Sequence, residues 1–155
     1  MFEVKRAQAE DAESILGITG QAFEKYIELA GISDTAALHE TKEDVLKDIQ
    51  NKLVYVAYMN KTAVGSVRVE IKPDKTAYLS RFGVSDQFQN IGIGKAIMNA
   101  FDMDMRALGV KKVCLHTASK VMPLVRFYYG RGFYVDSTTK DKGYIRALMC
   151  KEYQQ

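Results

Sequence analysis

Apolar residues along the chain recur with two periods, and the places where one period gives way to the other mark the elements. Phe2 to Ala7 reads as a short strand. Ala12, Ile15, Leu16, Thr19, Phe23 and Tyr26 then keep to one helical face, with Asp11 and Glu13 in the opening turns where negative charge is favoured. Gly17 and Gly20 weaken that helix, Gly31 closes it, and the pattern is lost from Gly31 to Glu40. Thr41, three residues before Asp44, resembles a capping signal for a second short helix carrying Val45, Leu46 and Ile49. Leu53 to Tyr58 is β-rich, Asn60-Lys61 makes a turn, and Val64 to Ile71 alternates Val67, Val69 and Ile71 with Ser66, Arg68 and Glu70. After the turn Lys72-Pro73-Asp74-Lys75, Tyr78 to Val84 completes an antiparallel meander.

A long amphipathic helix follows, with Ile93, Ile97, Ala100, Phe101, Met105 and Leu108 on one face and Lys95, Asn99, Asp102 and Arg106 on the other, ended by Gly109. Lys111 to Ala118 is the next strand, and strand–helix–strand implies a parallel crossover. A helix from about Val121 to Gly130, a strand from Phe133, a turn at Asp141-Lys142-Gly143 and a strand from Tyr144 to Glu152 close the chain. Pro123 fits only the first turn of its helix. These elements predict an α/β fold: a mixed sheet with helices on both faces.

The run Gln89-Asn90-Ile91-Gly92-Ile93-Gly94-Lys95, between a strand and a helix start, reads as an anion site. The first N–H groups of a helix lack intrahelical partners and sit at the positive end of its dipole, so phosphate fits there. Gly92 and Gly94, without Cβ, would let a pyrophosphate approach the main chain, and Lys95 adds charge. A dinucleotide fingerprint fails, because Ile97 stands where a small residue is needed and Lys111 to Ser119 holds no acid. A nucleotide-triphosphate loop fails at Gln89 and Ala96.

What the run matches is Gln/Arg-x-x-Gly-x-Gly/Ala after a strand ending at Val84, which resembles the pyrophosphate loop of the GCN5-related N-acetyltransferases (GNAT family). Phe127-Tyr128-Tyr129-Gly130-Arg131-Gly132-Phe133 resembles that family's second signature, an aromatic pair followed by Gly-Phe. The resemblance implies a mostly antiparallel sheet of about seven strands whose central pair, Tyr78 to Val84 and Lys111 to Ala118, splays apart. It implies acetyl-CoA as co-substrate, with the main chain of Phe82, Gly83 and Val84 on the pantetheine and the amides of Gln89 through Lys95, Ile91 and Ile93 among them, on the pyrophosphate. Tyr128 aligns with the tyrosine that protonates the departing thiolate, with Tyr129 as a rival and aromatic core as the plain alternative. Where the family often carries Asn this chain has Val121, so Ser119 or Thr117 would have to supply that contact. By resemblance the acceptor amine lies between Phe23 and Tyr26 of the first helix and Glu70 and Tyr78 of the sheet. The general base stays open between Glu70, His116 and water. The function implied is direct acetyl transfer to a primary amine of a small molecule or peptide, with a non-catalytic acyl-CoA sensor as the alternative.

Length and charge narrow the partners. At 155 residues one domain is expected over 1–155. A formal net charge of only +3 argues against a nucleic-acid partner. Cys114 and Cys150 lie in apolar runs without metal or redox spacing and read as buried free thiols, which favours a cytoplasmic setting and no metal. No run is apolar enough for a leader or a membrane span. A homodimer is compatible with these features.

Overall fold

The structure, a computed structural model, describes residues 2–154. Seven strands form one mixed sheet in the order β1-β2-β3-β4-β5-β7-β6. They are β1 (Phe2–Arg6), β2 (Leu53–Met59), β3 (Thr62–Ile71), β4 (Thr76–Val84), β5 (Lys112–Ala118), β6 (Tyr134–Thr139) and β7 (Arg146–Glu152). The helices are α1 (Ala12–Ala30), α2 (Lys42–Asn51), α3 (Ile93–Ala107) and α4 (Met122–Gly130). The expected order of elements holds, with β3 and β4 each starting two residues earlier than their apolar pattern, at Thr62 and Thr76.

Alternation within the strands decides which helices cover which face. Val67, Val69, Leu79 and Leu115 face α3 and α4, packing with Ile97, Met98, Phe101, Met105 and Val125. Val54 and Val56 face the other way, onto Ala12 and Ile15 of α1 and Val45 of α2. Gly83 lets α1 approach β4 closely, since a Cβ there would stand 2.6 Å from that of Ala22. Helix ends follow the expected chemistry. Thr41 accepts from the Asp44 amide at 3.2 Å while its own amide donates to the Asp44 carboxylate at 2.9 Å, and Gly31 ends α1 with φ 71°. Pro123 lies in the first turn of α4.

Leu108, Asp102, Arg68 and Ser66 depart from the sequence reading, Ser66 being buried with its hydroxyl donating to the Tyr55 carbonyl at 2.9 Å. Leu108, expected on the buried face, is 48% exposed because α3 has already ended at Ala107. Asp102, expected on the polar face, is buried, because Lys151 Nζ (2.6 Å) and the Tyr153 hydroxyl (2.5 Å) donate to it from the chain's last strand and beyond. Arg68, on the polar side of its strand pattern, is wholly buried beneath α1 and α2. Its guanidinium donates to Glu40 at 2.6 and 2.9 Å, to Asp48 at 2.9 Å and to the Thr19 hydroxyl at 3.1 Å. Glu40 ends the segment between α1 and α2, which holds one 3₁₀ turn (Ala36–His39), so this network pins that segment to the sheet. The two cysteines are free and face each other across β5 and β7, and burial together with the hydrogen bond to Cys114 pushes the Cys150 thiol up to about 12.

Removing one member of a buried ionic network leaves the others desolvated and unpaired, which costs about 3–5 kcal/mol. Arg68→Met is therefore expected to lower unfolding stability by that order in denaturant titration. Adding Glu40→Gln and Asp48→Asn to it should recover much of the loss. A single-variant loss below 1 kcal/mol would contradict the pinning role.

Candidate active site

The site begins where the sheet fails to close. β4 and β5 run parallel but pair over only three residues, Thr76 with Lys112, Ala77 with Val113 and Tyr78 with Cys114. Past Tyr78 the ladder stops, while β5 stays paired to β7 as far as Ala118 and Arg146. The cause sits in β4: its register with β3 shifts between Ser66 and Arg68, and Arg81 adopts φ 55°, a left-handed conformation that bends the strand. Ser85 donates to Val64, so by two-residue alternation the peptide groups of Val84 and Phe82 point away from β3 and into the gap.

At the open end of β4 lies the expected anion loop. Gly92 is the N-cap of α3 with φ 94°, and Asn90 has φ 64°. Asn is the residue after Gly that best tolerates this region, so it can stand where the resembled motif often has Gly. The first amide of this helix to find a carbonyl is that of Ala96, bonded to Gly92 at 3.0 Å. The six preceding amides, Asn90 through Lys95, have no backbone partner among the described residues. Gln89 does not join them: its amide reaches Asp86 at 3.4 Å and its side chain donates to the Val84 carbonyl at 2.6 Å, tying the loop to the end of β4. Gly94 has a second reason to lack a Cβ, which would stand 3.1 Å from the Phe82 ring and 3.2 Å from Phe127.

From the α4 side, Tyr128 enters a cluster of aromatic rings. Phe82 stacks on Phe127 at 5.2 Å, and the Tyr128 ring meets Phe82, Phe127 and Phe133 edgewise at 5.6 to 6.1 Å. Tyr128 is 5% exposed and its hydroxyl is neither hydrogen-bonded within the described residues nor sealed from solvent. Burial raises its pKa well above that of a free phenol, with the phenols of Tyr26 and Tyr78 acting in the same direction from the opposite face of the sheet. Tyr129, the rival, is 53% exposed. On β5 the Thr117 hydroxyl is buried without a partner among the described residues, whereas Ser119 donates to the Ile145 carbonyl at 3.4 Å and its amide is bonded there too. Val121 is buried against Ala30 and Ala118.

From the α1 side a polar cluster faces the same gap. The Tyr26 hydroxyl accepts from the Ala118 amide at 2.9 Å, satisfying an N–H that the parting of the strands leaves open, and lies 3.1 Å from the Tyr144 hydroxyl. Phe23 packs on Tyr26 and carries the Arg81 guanidinium 6.0 Å from its ring centre. Tyr78 and His116 are joined at 2.6 Å between Oη and Nδ1. Glu70 lies directly across from Tyr78 at the closed end of the gap, exposed and outside every ion pair of the described residues. A cavity of about 490 Å³ lined by Ser14, Gly17, Gln21, Tyr58, Lys61 and Ser85 lies along α1 next to the β2–β3 turn.

The model of the acetyltransferase (GNAT) family matches residues 23–133, which spans the gap, the amide loop and the aromatic cluster. The chain belongs to the GNAT acetyltransferase family. No curated protein matches it in sequence. Among solved structures, the PaiA N-acetyltransferase of Thermoplasma acidophilum in complex with coenzyme A superposes with a TM-score of 0.86 at 22% identity, over 99% of both chains. The ribosomal-protein-S18-alanine N-acetyltransferase of Escherichia coli gives 0.81 at 14%, covering 100% of this chain and 96% of that one. yncA of Salmonella typhimurium, solved with its cofactor acetyl-CoA, gives 0.80 at 14%, over 100% and 95%. At these identities the likeness is one of fold.

Within the GNAT fold, the residues that sequence reasoning missed are Arg81, Tyr144 and Arg146. Tyr144 and Arg146 reach the gap only through the β5–β7 register, which no local pattern reports. Arg81 could have been found only from its backbone angle.

The left-handed turn at Asn90 is testable. Asn90→Gly should be near neutral, whereas Asn90→Val should cost about 1–2 kcal/mol in denaturant unfolding, since a β-branched residue fits that conformation poorly. Equal stability of the two variants would contradict the loop geometry.

Proposed function

We propose that this protein transfers an acetyl group from acetyl-CoA directly to the primary amine of a small molecule or peptide. One observation carries the reading: among the described residues, the gap between β4 and β5 has six unpartnered amides at its open end and an unpartnered phenol beside it, with a polar cleft on the opposite face. The bound coenzyme A and acetyl-CoA of the two relatives in which they are named support the same assignment. The N-acetyltransferase names of the PaiA and S18-alanine relatives support an amine as acceptor.

In this reading the amides of Asn90 through Lys95 hold the pyrophosphate with the dipole of α3 behind them. The peptide groups of Phe82 and Val84 line the pantetheine arm, and an N–H there stabilises the negative charge that builds on the thioester oxygen. Thr117, with its orphaned hydroxyl, supplies the β5 contact that Val121 cannot make. Ser119 is the weaker choice because its hydroxyl already faces Ile145. The amine attacks the carbonyl carbon, a C–N bond forms, the C–S bond breaks, and Tyr128 gives its proton to the departing sulfur. A phenol whose pKa is raised by burial stays protonated through neutral and moderately alkaline pH, so Tyr128 imposes no loss of rate in that range.

Tyr128→Phe removes only the hydroxyl. Turnover, read as free thiol released from acetyl-CoA in the presence of an amine panel, should fall about 10²-fold with acetyl-CoA affinity little changed. Equal turnover would return Tyr128 to a packing role. Acetyl-CoA binding by the wild type without turnover on any amine would favour the sensor reading.

A further inference from the structure

Resting on the transferase reading, we propose that Tyr78 and His116 form the base side of the reaction, Tyr78 Oη taking the proton of the attacking amine while its own proton passes to His116 Nδ1. The placement is specific. Tyr78 is the last residue of β4 still paired with β5, and His116 lies two residues beyond its partner Cys114, on the same face. Their 2.6 Å hydrogen bond therefore spans the point where the two strands part. It lies on the α1 side, opposite the face from which Tyr128 enters, so the proton donor for sulfur and the proton acceptor for nitrogen flank the gap from its two sides.

The chemistry follows from the two groups. A phenol is a far stronger acid than the N–H of a neutral imidazole, so Tyr78 donates and Nδ1 accepts. That leaves the lone pairs of Tyr78 Oη toward an incoming amine. As the C–N bond forms, the nitrogen gains positive charge. Its proton moves to Oη, the Oη proton moves to Nδ1, and the imidazolium later returns the proton to solvent. Tyr128 meanwhile protonates the sulfur and afterwards regains a proton from solvent, so the products are a neutral amide and a neutral thiol and both side chains return to their starting state.

The surroundings keep His116 ready for this. Desolvation lowers its pKa below the usual 6.5, the Arg146 guanidinium on β7 lowers it further, and Asp141, paired with Arg146 at 2.9 Å, opposes them. The other titratable groups facing this point are Tyr26 of α1, Tyr144 before β7, Arg81 of β4, Cys114 of β5, Cys150 of β7 and Tyr128 of α4. The imidazole is therefore unprotonated at neutral pH and is lost as a base only as the pH falls through its lowered pKa. Glu70, exposed at the closed end, has no comparable link to the gap.

The chain has two histidines, so a His39→Gln background leaves His116 as the only imidazole for NMR titration. Its midpoint is expected below pH 6.5. The profile of kcat should show a low-pH limb at that midpoint, absent in His116→Gln. At pH 7.5 both His116→Gln and Tyr78→Phe should lose about 10²-fold in kcat while acetyl-CoA affinity, the check that they fold, is retained. Added imidazole should restore part of the rate to His116→Ala. A kcat within threefold of wild type in both variants, or a low-pH limb that survives in His116→Gln, would overturn the proposal. So would a collapse confined to Glu70→Gln. Failure of the wild type to turn over any amine would remove the transferase reading itself, and the base assignment with it.

Discussion

Two parallel strands that pair for three residues and then part create a debt of unpartnered backbone groups in the middle of a sheet, where such groups are normally bonded. Much of the rest of the molecule deals with the consequences of that parting. On β5, the Ala118 amide is met by the Tyr26 hydroxyl reaching over from α1. On β4, the Val84 carbonyl is met by the Gln89 side chain. The peptide groups of β4 between these ends face an open slot of the kind into which an extended, amide-bearing ligand can lay a third strand-like edge.

The gap needs rigid walls, and the structure supplies them by different means on its two sides. On the α4 side the wall is aromatic packing, with Phe82 and Phe127 stacked closely enough that Gly94 cannot carry a side chain without their moving. On the α1 side the wall is ionic. Arg68, buried in the sheet, holds Glu40 and Asp48, and Arg81 Nε lies 3.3 Å from the same Glu40. Arg81 is also the residue whose left-handed backbone bends β4. One carboxylate thus joins the segment between α1 and α2 to the bend that opens the gap. A segment that is fastened in this way has little freedom to drift, at the expense of desolvating several charges together.

Periodicity revealed most of the fold because helices and strands here obey their own patterns: α3 is amphipathic, α2 carries its capping pair, β2 is a continuous β-rich run and β3 alternates. The pattern misled where a polar residue is buried through a partner distant in sequence. Asp102 looks like a surface residue of α3 until Lys151 and Tyr153, some fifty positions later, are brought beside it, and Arg68 looks solvated until two helices close over it. The amide loop was legible because its chemistry is local, consisting of a strand end, two glycines and a helix start. The parting of β4 and β5 was not, since it depends on a bulge that shows only in the β3–β4 register and the backbone angle of Arg81; the resemblance to a family supplied it. The pairing of Tyr78 with His116 lies beyond any local pattern, because it requires the register of two strands 38 residues apart.

The central claim is that the slot and the amide loop form one acetyl-CoA site. Its most direct test is residue-resolved amide hydrogen exchange with and without acetyl-CoA. Slowed exchange should appear together at the amides of Asn90 through Lys95 and at the gap-facing amides of Phe82 and Val84, with little change along β6 or in the cavity beside the β2–β3 turn. Protection confined to that cavity, or exchange unaltered at both the loop and β4, would contradict it.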